Sequence, residues 1–149
     1  MKIRYMSLDE AQELSGQDNI ALISIHEPGQ PTGINYAKWK HHCILEFHDA
    51  DKRTGEVRLV LGGEKQLKFF DKAMANELLL FIQALPPTVD TIYVHCYGGI
   101  SRSPAVAKFL GDKLFHTNVH ATATYNRYVY STLEDAWLDI EPVTSLMKE

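Results

Sequence analysis

Short apolar runs alternate with stretches of helical spacing along this chain, a pattern that predicts an α/β domain built on a mainly parallel sheet. Residues 2–6 read as a first strand. Ser7 with Glu10 forms a capping box for a short helix through Leu14, and Gly16 stops it. Residues 20–25 (IALISI) are apolar almost throughout, as a strand covered on both faces requires. The Pro and Gly content of 27–33 makes that stretch a loop. Residues 43–47 predict a third strand, running into the polar cluster His-Asp-Ala-Asp. Val57, Leu59 and Leu61 alternate within 52–63, which predicts a hairpin or a small excursion. From 65 to 85, Leu67, Phe70, Met74, Leu78, Phe81, Ile82 and Leu85 recur at helical spacing until Pro86 and Pro87 end the helix. A strand at 91–95, a helix at 102–115 with Pro104 in its first turn and a last helix at 121–137 complete the pattern. The expected fold is α/β, with a central mainly parallel sheet of four or five strands flanked by helices.

Length and composition narrow the classes. A chain of 149 residues, 45% hydrophobic and 23% charged, fits one globular domain over 1–149. Its longest apolar runs are too short to cross a bilayer, which takes about 20 residues. No secretory signal is read at the start, so the expected location is the cytoplasm, with no membrane partner. A net charge of −4 without a long basic block argues against a nucleic-acid surface. The two cysteines, Cys43 and Cys96, can build neither a disulfide framework nor a CxxC pair.

Cys96 stands in the stretch HCYGGISRS, directly after the strand at 91–95 and before the helix that opens near Arg102. Such a turn aims consecutive backbone amides from Tyr97, Gly98, Gly99, Ile100, Ser101 and Arg102 at one point, where the helix dipole also favours negative charge. Gly98 and Gly99 allow the tight curl. Arg102 adds a planar fork of donors for two phosphate oxygens. The same field favours thiolate over thiol at Cys96 and makes it a nucleophile. A phosphorus held in that loop would be attacked in line, giving a cysteinyl-phosphate. Ser103 can donate to the sulfur and make it a better leaving group. Asp49, at the end of the third strand, is the first choice for the proton donor to the leaving oxygen, with Asp51 in reserve. His95 is a supporting group beneath the loop, and the scheme needs neither metal nor cofactor.

HCYGGISRS resembles the signature of the cysteine-dependent protein tyrosine phosphatase superfamily, His-Cys-x-x-Gly-x-x-Arg-Ser/Thr, at His95, Cys96, Gly99, Arg102 and Ser103. With PAVA after the loop and FHDA upstream, the chain is similar to the small dual-specificity-like phosphatases of bacteria and phages. The resemblance implies a phosphatase-type loop between a strand end and a helix N-terminus. It also implies Cys96 as nucleophile, Arg102 as phosphate clamp, Ser103 as thiolate partner and Asp49 as general acid. The chain departs from the compact pattern in the 47 residues from Asp49 to Cys96, and it has no Trp-Pro-Asp acid loop.

The expected activity is therefore hydrolysis of phosphomonoesters on a phosphorylated protein or peptide, phosphotyrosine first, by a monomer. Phosphoinositide or RNA 5′-phosphate hydrolysis by the same loop, and a non-catalytic phospho-binding module, are the alternatives; sulfur transfer or arsenate reduction is a lesser one. His41, His42, Cys43, His48 and Asp49 invite a metal reading, but strand alternation sets His42 opposite His41 and Cys43. Cys43 reads as a core residue or as a redox partner of Cys96. Lys52, Arg53, Arg58, Lys65 and Lys68 form a loose basic region, either a solvated face or a rim for anionic substrates. Tyr125, Tyr128, Val129, Leu133 and Trp137 have the spacing of a core-facing helix.

Overall fold

The computed structural model describes residues 1–62 and 66–148. It is an α/β fold in which β1 (Lys2–Met6), β2 (Ile20–His26), β3 (His41–Glu46) and β6 (Thr91–His95) form one parallel sheet in the order β1-β6-β2-β3. Between β3 and β6 the chain makes a separate antiparallel hairpin, β4 (Asp49–Asp51) with β5 (Glu56–Leu59). Alternation along β2 divides the interior. Ala21, Ile23 and Ile25 face the main core under α2 (Lys72–Gln83), α3 (Arg102–Phe109) and α4 (Arg127–Lys148), while Ile20 and Leu22 face a smaller cluster around Trp39. The Ser7–Glu10 capping box of α1 (Leu8–Gln12) is formed as the sequence predicts, and Leu14, just past that helix, packs against the second cluster.

Three helices have boundaries that differ from the sequence pattern. Helix α2 begins at Lys72 rather than near 65, because Asp71 caps it by accepting from the Met74 amide at 2.9 Å. The apolar residues before it are spent on tertiary contacts. Phe70 packs on Phe47 with ring centroids 4.7 Å apart, its carbonyl accepts from the Tyr128 hydroxyl at 2.7 Å, and Lys68 pairs with His48 through both backbone groups. Helix α3 gives way after Phe109 to a π-helical turn over Leu110–Phe115, ended by His116 in the left-handed region. Helix α4 starts at Arg127 instead of 121 and runs on to Lys148.

Glu27 and His48, each 1% exposed, fasten the segment that follows the hairpin. The Glu27 carboxylate accepts from the Leu61 amide at 2.7 and 3.0 Å, and His48 Nε2 approaches Glu27 Oε1 at 3.3 Å without hydrogen-bond geometry. His48 Nδ1 accepts from the Lys68 amide at 2.9 Å, so its proton is on Nε2, facing Glu27. No helix among the described residues is long and apolar enough to cross a membrane.

Candidate functional site

The carboxyl ends of β1, β3 and β6 converge where β6 enters between β1 and β2, the position at which open α/β sheets bind ligands. Cys96 follows the last residue of β6, and Arg102 opens α3. The loop between them closes tightly on β1. Cys96 N donates to Met6 O at 3.3 Å, and Leu8 N donates to Tyr97 O at 3.1 Å. Gly99 has φ of 70°, and a Cβ there would lie 2.6 Å from Ser7 N and 2.7 Å from Met6 C. Only glycine fits. Gly98 is different: a Cβ on it would meet nothing nearer than the Ile100 side chain at 3.6 Å, so the curl depends on one glycine of the pair.

Cys96 is 2% exposed. Its Sγ receives the Gly99 amide at 3.3 Å and lies 3.1 Å from Ser103 Oγ, which also reaches Met6 O at 3.4 Å. The serine carries one proton and has two acceptors for it. With a protonated sulfur the S–H can point to Ser103 while Ser103 donates to Met6; with an ionised sulfur the hydroxyl turns to the sulfur.

Arg102 is 1% exposed, and its Nη1 donates to Phe47 O at 2.7 Å at the end of β3. Its Nε has no partner among the described residues. The side chain is thus held at the sheet end with donor capacity left over.

His95 Nδ1 lies 3.3 Å from the Cys96 carbonyl, which can only accept, and Nε2 lies 2.5 Å from Ser24 Oγ. Burial pushes the imidazole down to about 4, with the Cys96 carbonyl pulling the other way. A neutral ring that donates through Nδ1 must accept through Nε2, so the Ser24 hydroxyl donates to it. Tyr36 OH, 2.7 Å from Ser24 Oγ, then donates to Ser24, and Thr32 donates to Tyr36 across 3.0 Å. The chain Thr32–Tyr36–Ser24–His95 fixes the backbone under Cys96.

On the opposite wall, Asp49 is 5% exposed and accepts at Oδ1 from Ser101 Oγ at 2.8 Å and from Asn126 Nδ2 at 2.9 Å. Asp51 is turned away. Its carboxylate pairs with Arg53 at 3.1 Å, and that hydrogen bond holds it below the usual carboxylate range. Asp49, not Asp51, lines a cavity of about 500 Å³ together with Cys96, Arg102 and the hairpin residue Arg58. The Ser101 side chain faces Asp49 rather than the loop interior. Arg58 donates through Nη1 to Ser101 Oγ at 3.0 Å and to Thr124 O, and it pairs with Glu56 at 3.0 Å.

The remaining candidates separate from the site. Cys43 lies on β3, two strands from Cys96 with β2 between. At about 4.8 Å per strand the two thiols are beyond disulfide reach, which removes the redox-partner reading. Cys43 is core; burial, with the negative charge of Glu77, pushes its thiol up to about 12. His42 stacks on Tyr36 and donates to Trp39 O at 2.7 Å, far from the role of His48 against Glu27, so the histidines do not converge. Arg53 serves the hairpin's own docking, reaching Ser131 Oγ at 3.3 Å. Lys65 lies outside the described residues. Tyr125, Tyr128 and Trp137 pack partly buried against the main core.

Residues 121–126, read from the sequence as the start of the last helix, instead brace the loop. Thr122 and Thr124 donate to Ile100 O at 2.6 and 3.2 Å, and Asn126 N donates to Ser101 O at 3.0 Å. Asn126 escaped the sequence reading, although its position before an apolar helical run is a helix-cap signal: its Oδ1 accepts from the Val129 amide at 3.1 Å. No family model, curated protein or solved structure matches the chain.

Proposed function

We propose that this protein hydrolyses phosphate monoesters on proteins or peptides, phosphotyrosine foremost, through a cysteinyl-phosphate at Cys96. The fold alone carries no function. What supports the reading is one cavity lined by a sulfur, a guanidinium and a carboxyl group, Cys96, Arg102 and Asp49, at a strand end and a helix N-terminus. On this reading the stretch 96–102 is a phosphatase-type loop. The first-turn amides of α3, which have no intrahelical acceptor, and the spare donors of Arg102 bind the phosphate oxygens.

Sγ attacks phosphorus as the bond to the leaving oxygen breaks, and Asp49 supplies that oxygen's proton. The ionised Asp49 then takes a proton from the water that attacks the thiophosphate. Ser103 donates to the departing sulfur in this second step. Leu59, Tyr97 and Ile100 add apolar wall to the cavity, whose volume of about 500 Å³ leaves room for an aryl group above the phosphate. A reducing compartment such as the cytoplasm suits the scheme, since Cys96 has no neighbouring thiol for a protective disulfide.

The test is hydrolysis of an aryl phosphate. Cys96→Ser is expected to lose at least about 10³-fold in kcat while still binding vanadate. Asp49→Asn is expected to lose more with phenyl phosphate than with p-nitrophenyl phosphate. Hydrolysis that survives Cys96→Ser unchanged would refute the assignment.

A further inference from the structure

Asp49 sits on a strand of the hairpin, not on a long mobile loop, and the bonds to its carboxyl group are unsymmetrical. Both of the described donors, Ser101 Oγ at 2.8 Å and Asn126 Nδ2 at 2.9 Å, fall on Oδ1. No donor among the described residues reaches Oδ2. A carboxyl oxygen has two lone pairs, so Oδ1 is saturated by these two bonds.

The direction of each bond is fixed by a third group. Arg58 Nη1 donates to Ser101 Oγ at 3.0 Å, and a guanidinium cannot accept, so the serine's single proton is directed to Asp49. Asn126 accepts through its own Oδ1 from the Val129 amide at 3.1 Å, which places its NH₂ group toward the hairpin. The two protons of that group go to Asp49 Oδ1 and, at 3.2 Å, to Ala50 O. Every one of these donors has another anchor, in the hairpin, the loop after Cys96 or the cap of α4.

From this we infer that Ser101 and Asn126 are positioning residues which reserve Oδ2 of Asp49 for the transferable proton and preset the acid beside the loop. The inference rests on the phosphatase reading above. With Oδ1 occupied, the neutral acid carries its proton on Oδ2. That proton passes to the leaving oxygen as the phosphorus–oxygen bond breaks and the sulfur–phosphorus bond forms. The same oxygen accepts a proton from water when the sulfur–phosphorus bond breaks in turn. No closure of a lid is needed to bring the acid into place, because the bonds that orient it come from the phosphate loop itself and from the first residue before α4.

Three variants test this. Asn126→Ser keeps a side-chain acceptor that caps α4 but loses the donor to Asp49. Ser101→Ala loses the hydroxyl donor, and Ser101→Thr restores it. For each, kcat/KM is measured with p-nitrophenyl phosphate and with phenyl phosphate, whose leaving group depends far more on an acid. Ser101→Ala and Asn126→Ser are expected to lose about tenfold with phenyl phosphate, with a loss at least about fivefold smaller on the p-nitrophenyl ester. Ser101→Thr is expected to recover the phenyl phosphate rate. Equal losses on both esters, or no loss on either, would overturn the inference while leaving the phosphatase reading intact. A wild-type chain that hydrolyses neither ester would instead remove that reading, and this inference with it.

Discussion

The two walls of the cavity are built by different means. On the Cys96 wall, Cys96, Arg102 and Ser103 are 2%, 1% and 0% exposed and stand where the central strand β6 meets α3, so the whole sheet and its core hold them. The Asp49 wall is a three-residue strand in a two-stranded hairpin, whose Val57 is 44% exposed. It is held by a few polar bonds from Arg53, Arg58 and Asn126 and by the Glu27–Leu61 anchor. Two strands alone are marginally stable, so these bonds decide where Asp49 sits. A rigid core therefore fixes Cys96, whereas side-chain hydrogen bonds fix Asp49, and changes on the two walls should differ in kind.

The largest effect on stability should come from the Cys96 wall. Gly99→Ala forces a positive φ on alanine and pushes a methyl group into the backbone of Met6 and Ser7. It should cost about 3 kcal/mol or more in chemical denaturation and distort the sulfur's surroundings. A stable Gly99→Ala protein would break the claim that β1 moulds the loop.

The next effect is a dependence on acid. The folded protein holds His95 at about 4, against 6.5 ordinarily, so it binds fewer protons than the unfolded chain in between. Stability from this group is full above pH 6.5 and falls as the pH drops toward 4, by about 3 kcal/mol in total. Urea midpoints measured across that window should show the decline, and His95→Asn should flatten it. The smallest effects belong to positions on the walls where a new side chain clashes with nothing. Gly98→Ala and Val57→Thr should each change stability by less than about 0.5 kcal/mol, a difference that thermal unfolding would register if it were larger.

The four sheet strands and the loop after β6 are legible in the sequence because each is a local pattern: an apolar run, a capping box, a glycine at a fixed distance from a cysteine. The starts of α2 and α4 are not, since helical spacing continues through residues whose backbone is claimed by distant partners. Phe70 has the right period for α2, yet its carbonyl belongs to Tyr128 and its ring to Phe47. Asp71 was the local sign that the helix begins later. Asn126 was hidden for the same reason, because its partner Asp49 lies in the hairpin, 77 residues earlier. Asp49 and Asp51 look alike in sequence. The neighbouring Arg53 side chain takes Asp51 and leaves Asp49 to the cavity.

The central claim is that Cys96 carries the phosphoryl group during turnover. Acid-quenching the Asp49→Asn protein during turnover of p-nitrophenyl phosphate, then digesting it and weighing its peptides, tests this directly. The account predicts one added phosphoryl group on the peptide containing Cys96, absent from the same peptide after Cys96→Ser. Turnover with no phosphoryl group on that peptide, or with the group on any other residue, would contradict it.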